Sequence, residues 1–129
     1  AGGNPQVEIM IPLTVSGPEL AEARRWVEEV AVEVALGEKP VVGTMIETPR
    51  AALVAGSLAA HADFFSIGSN DLTQLTFGFS RDDVAGRFLG RYLELGLLDH
   101  DPFDRLDEVA VGELIDLAVE RGRAAAPGL

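Results

Sequence analysis

The sequence predicts an α/β fold in which parallel β-strands alternate with α-helices. Three short apolar runs, at Val7–Leu13, Val41–Thr48 and Asp63–Asn70, lack the strict polar alternation of half-exposed strands. Such runs are typical of strands that are buried on both faces of a parallel sheet. Segments with helical spacing separate them, and the order strand, helix, strand, helix, strand indicates parallel βαβ units.

The first helix is predicted directly after the Val7–Leu13 strand. Ser16 and Glu19 have the spacing of a capping box, and Pro18 suits the first turn of a helix. Apolar residues then recur at helical spacing from Leu20 to Val34, over about four turns. Gly37 follows the last of them, so it is predicted to end this helix.

The later helices are predicted from the same signals. Thr48 is a candidate N-cap for an alanine-rich helix over Pro49–Ala62. After the third strand, apolar spacing indicates a helix within Val84–Leu95, and Asp99–Asp107 is typical of turns. A final helix is predicted to end near Pro127.

The composition predicts at most one globular domain. The chain has 129 residues and a formal net charge of −11 with a single lysine, Lys39, which argues against nucleic acid as a partner. No apolar run is long enough to span a membrane, and the first residues, AGGNPQ, lack a signal-peptide pattern. Because cysteine is also absent, we predict a cytoplasmic location. The chain does not start with Met, so we expect a piece of a longer protein.

Two acids are predicted to lie at the carboxyl ends of neighbouring strands, where parallel α/β folds place their chemistry. Glu47 ends the second strand and Asp71 ends the third. Adjacent strands lie roughly 5 Å apart, and carboxylates at that separation repel each other unless a positive charge lies between them. Their oxygens favour Mg²⁺ or Mn²⁺. The alternative is that each acid only complements the dipole at a helix start.

The residues around Asp71 are compatible with a bound anion. Gly68 permits close approach of a ligand to the backbone, and Ser69 and Asn70 offer hydrogen-bond donors. Arg81 has the reach and geometry to pair with a phosphate or carboxylate. Two alternatives are open: Gly68 forms only a tight turn, and Arg81 makes only a surface ion pair with the aspartates that follow it.

Two segments make the chain recognisable. They are GTMIETPRAAL (43–53) and FFSIGSNDLTQLTFGFSRDD (64–83), and both resemble the phosphoenolpyruvate-utilising enzymes. Three other segments resemble the same family: EIMIPL, YLELGLLDHDPFDRLD and AVGELIDLAVERGR. The resemblance covers essentially all 129 residues. It implies that residues 1–129 are part of a C-terminal domain that binds phosphoenolpyruvate (PEP) and pyruvate. That domain is a (β/α)₈ TIM barrel, and this chain would supply about strands five to seven with their helices.

The resemblance also implies roles for individual residues. Glu47 and Asp71 match the Mg²⁺ ligands of the family, and Mg²⁺ is the implied cofactor. The resemblance also implies substrate contacts at Glu47, Asp71 and the Gly68–Asn70 stretch. Ser69 stands where the family usually has Thr, and it keeps the hydroxyl. Arg81 matches an arginine that contacts the substrate phosphate. No catalytic residue is implied in this segment, since the phosphorylated histidine and the acid–base cysteine of the family have no counterpart here.

Within the family, the downstream segments resemble most the dikinase branch, which interconverts pyruvate, ATP and phosphate with PEP, AMP and pyrophosphate. Pyruvate or PEP is then the implied ligand, the phosphohistidine domain of the same parent chain is a partner, and a homodimer is expected. The chain alone is expected to be inactive. PEP synthase and enzyme I of the sugar phosphotransferase system are alternatives within the family. A structural fragment without activity is the alternative from another class.

Overall fold

The computed structural model describes residues 7–129. The AGGNPQ stretch, in which the sequence shows no signal-peptide pattern, lies outside the described residues. Within residues 7–129, no helix is long and apolar enough to cross a membrane.

The three predicted strands form one small parallel sheet. Strand β1 spans Glu8–Ile11, β2 spans Val41–Ile46 and β3 spans Phe65–Ile67, and β2 lies between the other two. Ile46 pairs in register with Ile67, so β2 and β3 end at the same level of the sheet. This confirms the predicted α/β class and the neighbouring positions of the second and third strands. The strands are shorter than the apolar runs that predicted them.

Seven α-helices and one π-helical segment accompany this sheet in residues 7–129. They are α1 (Gly17–Glu33), α2 (Pro49–Leu53), α3 (Ala55–Ala59), α4 (Ser69–Phe77), α5 (Arg81–Ala85), α6 (Leu89–Glu94), the π-helical segment (Glu108–Gly112) and α7 (Glu113–Ala125).

Helix α1 begins as predicted and ends earlier than predicted. The Glu19 N–H donates to Ser16 Oγ at 3.3 Å, and Glu19 Oε2 accepts from the Val15 N–H at 2.7 Å. The prediction that Gly37 ends the helix is wrong, because Ala35 takes the left-handed backbone conformation with φ of 52°. The Leu36 N–H then donates to the Ala31 carbonyl at 2.9 Å, which closes the helix one turn before Gly37.

The predicted helix over Pro49–Ala62 is divided into α2 and α3. Thr48 caps α2 as predicted, since its side chain accepts the Ala51 N–H at 3.0 Å. The guanidinium of Arg121 on α7 donates to the Leu53 carbonyl. That carbonyl is the helical acceptor of the Ser57 N–H, which instead donates to the Val54 carbonyl at 2.8 Å. Contact with α7 therefore interrupts the helix.

The region after α4 also differs from the predictions in detail. The helix predicted within Val84–Leu95 is two short helices, α5 and α6, while Asp99–Asp107 contains no strand or helix, as predicted. A π-helical segment precedes α7. Asp107 caps that segment, because its Oδ2 accepts the Ala110 N–H at 2.9 Å.

The core lies between β2 and the alanine-rich pair α2 and α3, which packs against α7. Small side chains let these helices approach one another closely. Burial of each large core side chain stabilises the fold by about 1.5–3 kcal/mol. The core residues are Leu20, Ile46, Ala51, Ala52, Ala55, Leu58 and Ala118.

Candidate metal and substrate site

The carboxyl ends of β2 and β3 bring Glu47 and Gly68 into direct contact. Each residue follows one member of the Ile46–Ile67 pair in the sheet register. A Cβ atom added to Gly68 would lie 2.6 Å from both Glu47 Cβ and Glu47 Oε2, distances that real Cβ atoms essentially never show. Gly68 is therefore required for close packing at this edge, and the alternative of a simple tight turn does not account for it.

Glu47 is a buried acid that is held by a backbone donor. Its relative exposure is 3%, and its Oε1 accepts the Leu13 N–H at 2.6 Å. Leu13 has a φ of 53°, in the left-handed region that non-glycine residues rarely adopt. Its backbone is therefore strained at the point where it binds the carboxylate.

Asp71 lies in the first turn of α4. The prediction that it ends the third strand is wrong, because β3 stops at Ile67 and the helix begins at Ser69. Asp71 Oδ1 accepts a hydrogen bond from Gln74 Nε2 at 2.9 Å. Gln74 Oε1 in turn accepts the Arg81 N–H at 2.9 Å. The acid is thus connected through one side chain to the start of α5.

A cleft of about 490 Å³ lies beside Asp71 and Gln74. Leu13 also lines this cleft, and its N–H binds Glu47, so this one residue contacts both parts of the site. The remaining lining residues come from the end of α4 and the turn before α5: Leu75, Gly78, Phe79 and Ser80. This volume lies in the range of small-molecule sites.

The other predicted site residues lie in different surroundings. Ser69 and Asn70 are exposed in the first turn of α4, and their side chains make no hydrogen bond to any residue within 7–129. The guanidinium of Arg81 lies over the ring of Phe103, 5.8 Å from its centroid. Within the described chain, Arg81 forms no ion pair, which leaves the predicted pairing with its neighbouring aspartates without support.

Neither acid is paired with a basic side chain of residues 7–129. Burying the Glu47 carboxylate, which is 3% exposed, without a basic partner makes folding less favourable. A cation in the site would offset this effect. No cluster of three or more His, Cys, Asp or Glu residues forms in the part of the chain that the structure describes. Two carboxylates, those of Glu47 and Asp71, are therefore the candidate donors, a number that would fit Mg²⁺ because that ion keeps water and substrate as its other ligands.

A second cluster of charges, at the amino end of the sheet, is structural. Arg24 on α1 donates to Asp63 Oδ2 at 3.0 Å and to the His61 carbonyl at 3.1 Å, while the Val42 N–H donates to Asp63 Oδ2 at 2.8 Å. Burial alone would raise the pKa of Asp63, but the Val42 hydrogen bond and the Arg24 guanidinium outweigh it and hold that pKa below its usual value. The cluster ties α1 to the sheet.

Two residues of the site were not predicted from the sequence. Gln74 stands three residues after Asp71, a spacing at which Gln and Asp pair on a helix, so the signal was present. Leu13 carried no such signal, since its contribution is a backbone N–H in a conformation that usually belongs to glycine.

The sequence matches one family of enzymes. The family described as "PEP-utilising enzyme, PEP-binding domain" matches residues 1–126. The chain belongs to this family.

Individual relatives narrow the resemblance to the dikinase branch. The chain is 54% identical over 128 residues to pyruvate, phosphate dikinase 1, chloroplastic, of Oryza sativa subsp. japonica, a match that covers 95% of this chain and 13% of that protein. It is 53% identical over 128 residues to pyruvate, phosphate dikinase 2 of Zea mays, covering 95% of the chain and 14% of the relative. The chain thus spans only about 13–14% of the length of these relatives.

Proposed function

We propose that this chain is the part of a pyruvate phosphate dikinase that binds Mg²⁺ and pyruvate or PEP, with Glu47 and Asp71 as the metal ligands. The observation that carries the proposal is the nearly complete burial of Glu47 without a basic partner among the described residues. Close similarity to dikinases supports the choice of ligand.

The two acids are prepared for a cation in the same way. In each, one oxygen accepts a protein hydrogen bond, from the Leu13 N–H to Glu47 and from Gln74 to Asp71. The other oxygen, Oε2 of Glu47 or Oδ2 of Asp71, has no hydrogen bond from any residue within 7–129. Each carboxylate is thus oriented by one oxygen and has the other available for a metal.

The start of α4 would bind the acidic substrate. The side chains of Ser69 and Asn70 are exposed and have no partner in residues 7–129, and they follow the close contact of Gly68 with Glu47. First-turn amides of a helix favour an anion, because they lack carbonyl partners within the helix. A bound Mg²⁺ would supply neutralisation of the negative charge that develops on the substrate during phosphoryl transfer. Arg81 as a phosphate contact stays a prediction.

The remaining parts of the proposal concern the parent protein. Three parallel strands in the order β1–β2–β3 suit a segment of a TIM barrel, and we place them at about strands five to seven. Residues 1–129 would then be part of the PEP-binding domain, and a phosphohistidine domain of the same parent would deliver the phosphoryl group. A homodimer and a cytoplasmic location belong to this proposal. The chain alone would lack the groups for catalysis.

The test is Asp71→Asn in the whole protein that carries this chain. The substitution keeps the size of the side chain and removes the charge that a hard cation requires. We expect the affinity for Mn²⁺, measured by direct titration, and phosphoryl transfer to pyruvate to fall by orders of magnitude. Phosphorylation of the histidine by ATP and phosphate should persist, because it would occur on other domains.

Asp82→Asn is the matched control, since Asp82 also lies in the first turn of a helix. If both variants behave alike, Asp71 only complements a helix dipole and the proposal fails. A requirement for inorganic phosphate in the ATP half-reaction would separate the dikinase from PEP synthase. Phosphorylation by PEP without any nucleotide would indicate enzyme I instead.

A further inference from the structure

Gln74 uses both ends of its side-chain amide to connect two parts of the site. Its Nε2 donates to Asp71 Oδ1 at 2.9 Å, and its Oε1 accepts the Arg81 N–H at 2.9 Å. A backbone N–H can only donate, so the amide oxygen must face Arg81 and the amide nitrogen must face Asp71. The orientation of the amide is therefore fixed by the main chain of the next helix.

The main chain of Gln74 contributes to the same turn. Its carbonyl accepts the Phe79 N–H at 2.9 Å, next to Gly78, which has a left-handed φ of 68°. Gln74 thus holds the turn between α4 and α5 by a backbone and a side-chain acceptor. The same turn, through Gly78, Phe79 and Ser80, forms one wall of the cleft beside Asp71.

We propose that Gln74 is a positioning residue that fixes one oxygen of Asp71, directs the other towards the cation, and couples that orientation to the turn 78–81. This rests on the proposed function, because it assigns to Gln74 the task of orienting a proposed metal ligand. Partners that hydrogen-bond a metal ligand typically contribute 10–100-fold in metal affinity. Since Gln74 also holds one wall of the cleft, its loss would disturb the ligand and the cleft together.

The experiment compares Gln74→Met with Thr76→Val in the whole protein. Met has nearly the length of Gln and removes both side-chain bonds. Thr76 lies on the same helix, and within residues 7–129 its hydroxyl donates only to the Leu72 carbonyl at 2.6 Å. We expect Gln74→Met to weaken Mn²⁺ binding about 10–100-fold in direct titration and to accelerate amide exchange at Arg81. Thr76→Val should change neither.

The kinetic expectation distinguishes positioning from general loss of structure. For Gln74→Met, the Mg²⁺ concentration that gives half-maximal activity should rise about 10–100-fold, while kcat at saturating Mg²⁺ should stay within about threefold. A lower kcat at all Mg²⁺ concentrations, with unchanged half-saturation, would overturn the inference. Normal Mn²⁺ binding by Gln74→Met, together with lost Mn²⁺ binding by Asp71→Asn, would also overturn the inference. The proposed metal site would stand in that case. If Asp71→Asn also binds normally, the proposed site itself fails.

A measurement on the unsubstituted protein keeps the inference testable if Gln74→Met does not fold. This chain contains two glutamines, Gln6 and Gln74, so ¹⁵N-glutamine introduced only in this segment gives few side-chain amide signals. We expect the Gln74 amide signal to shift on saturation with Mg²⁺, and the shift to be absent in Asp71→Asn. A signal that stays unchanged at saturation would refute the proposed coupling.

Discussion

Gly68→Ala tests the packing of the sheet edge most directly. The added Cβ would meet Glu47 Cβ and Oε2 at 2.6 Å and Met45 Sδ at 2.7 Å. The sulfur and the carboxylate oxygen can rotate away, but Glu47 Cβ is fixed to the backbone at the end of β2. The backbone of Gly68 has a φ of −89°, which L-residues tolerate, so the cost comes from the overlap and not from the dihedral.

The magnitude follows from two opposing effects. Overpacking of this kind costs about 1–3 kcal/mol, because neighbouring atoms must shift. Replacing Gly with Ala also restricts the unfolded chain and returns about 0.4–1 kcal/mol. From the middle of both ranges, we expect the free energy of unfolding to fall by about 1.3 kcal/mol. The displaced Glu47 carboxylate should in addition weaken Mn²⁺ binding.

Chemical denaturation and metal titration measure these two effects. Gly90→Ala on α6 is the control, since a Cβ there would meet nothing within 4 Å. This control should gain about 0.5–1 kcal/mol in the free energy of unfolding, as expected for alanine in a helix, and leave metal binding unchanged. If Gly68→Ala is as stable as Gly90→Ala and binds Mn²⁺ normally, the edge tolerates a side chain and the argument from close packing is wrong.

Two further predictions concern stability and surface. Asp63→Asn should lower the free energy of unfolding by about 1 kcal/mol at neutral pH, because the amide keeps one acceptor oxygen for the Val42 N–H but loses the charge and the second oxygen that bind Arg24. The pKa of Asp63 is lowered in the folded chain, so this stabilisation is present above pH values near the ordinary carboxyl pKa of 3.8 and is lost as the pH falls through the folded-state pKa. A difference in unfolding free energy between Asp63→Asn and the unsubstituted chain that is equal at every pH would contradict this. The isolated chain should associate or bind a hydrophobic dye, because β1 and β3 are sheet edges and α1 exposes Trp26 (56%), Val30 (55%) and Val32 (81%). A monomer at high concentration that binds no dye would refute this.

The order of strands and helices was predictable because the local signals are strong. Ser16 with Glu19, and Thr48 before Pro49, cap helices where expected. The errors arise where tertiary contacts override local preference. The Arg121 guanidinium donates a hydrogen bond to the Leu53 carbonyl and divides a helix that the alanine content favours. No pattern within Pro49–Ala62 predicts that contact.

The meeting of the two strand ends was predictable, and the geometry around them was less so. Glu47 and Gly68 lie together because the parallel register places them at the same level. Asp71 was assigned to a strand end because Gly68 was taken as part of the strand, whereas it precedes the helix. The backbone of Leu13 was not predictable, since a left-handed leucine contradicts local preference.

The departures from local preference in this chain concentrate at one edge of the sheet. Leu13 adopts a strained backbone conformation, Glu47 buries a charge without a basic partner in residues 7–129, and Gly68 leaves no room for a side chain. Each of these costs stability or restricts the sequence, and packing alone gives no reason to combine them. Strain and buried charge persist where function requires them. A cation between Glu47 and Asp71 would account for the buried charge, and the Leu13 N–H would then orient the carboxylate that binds it.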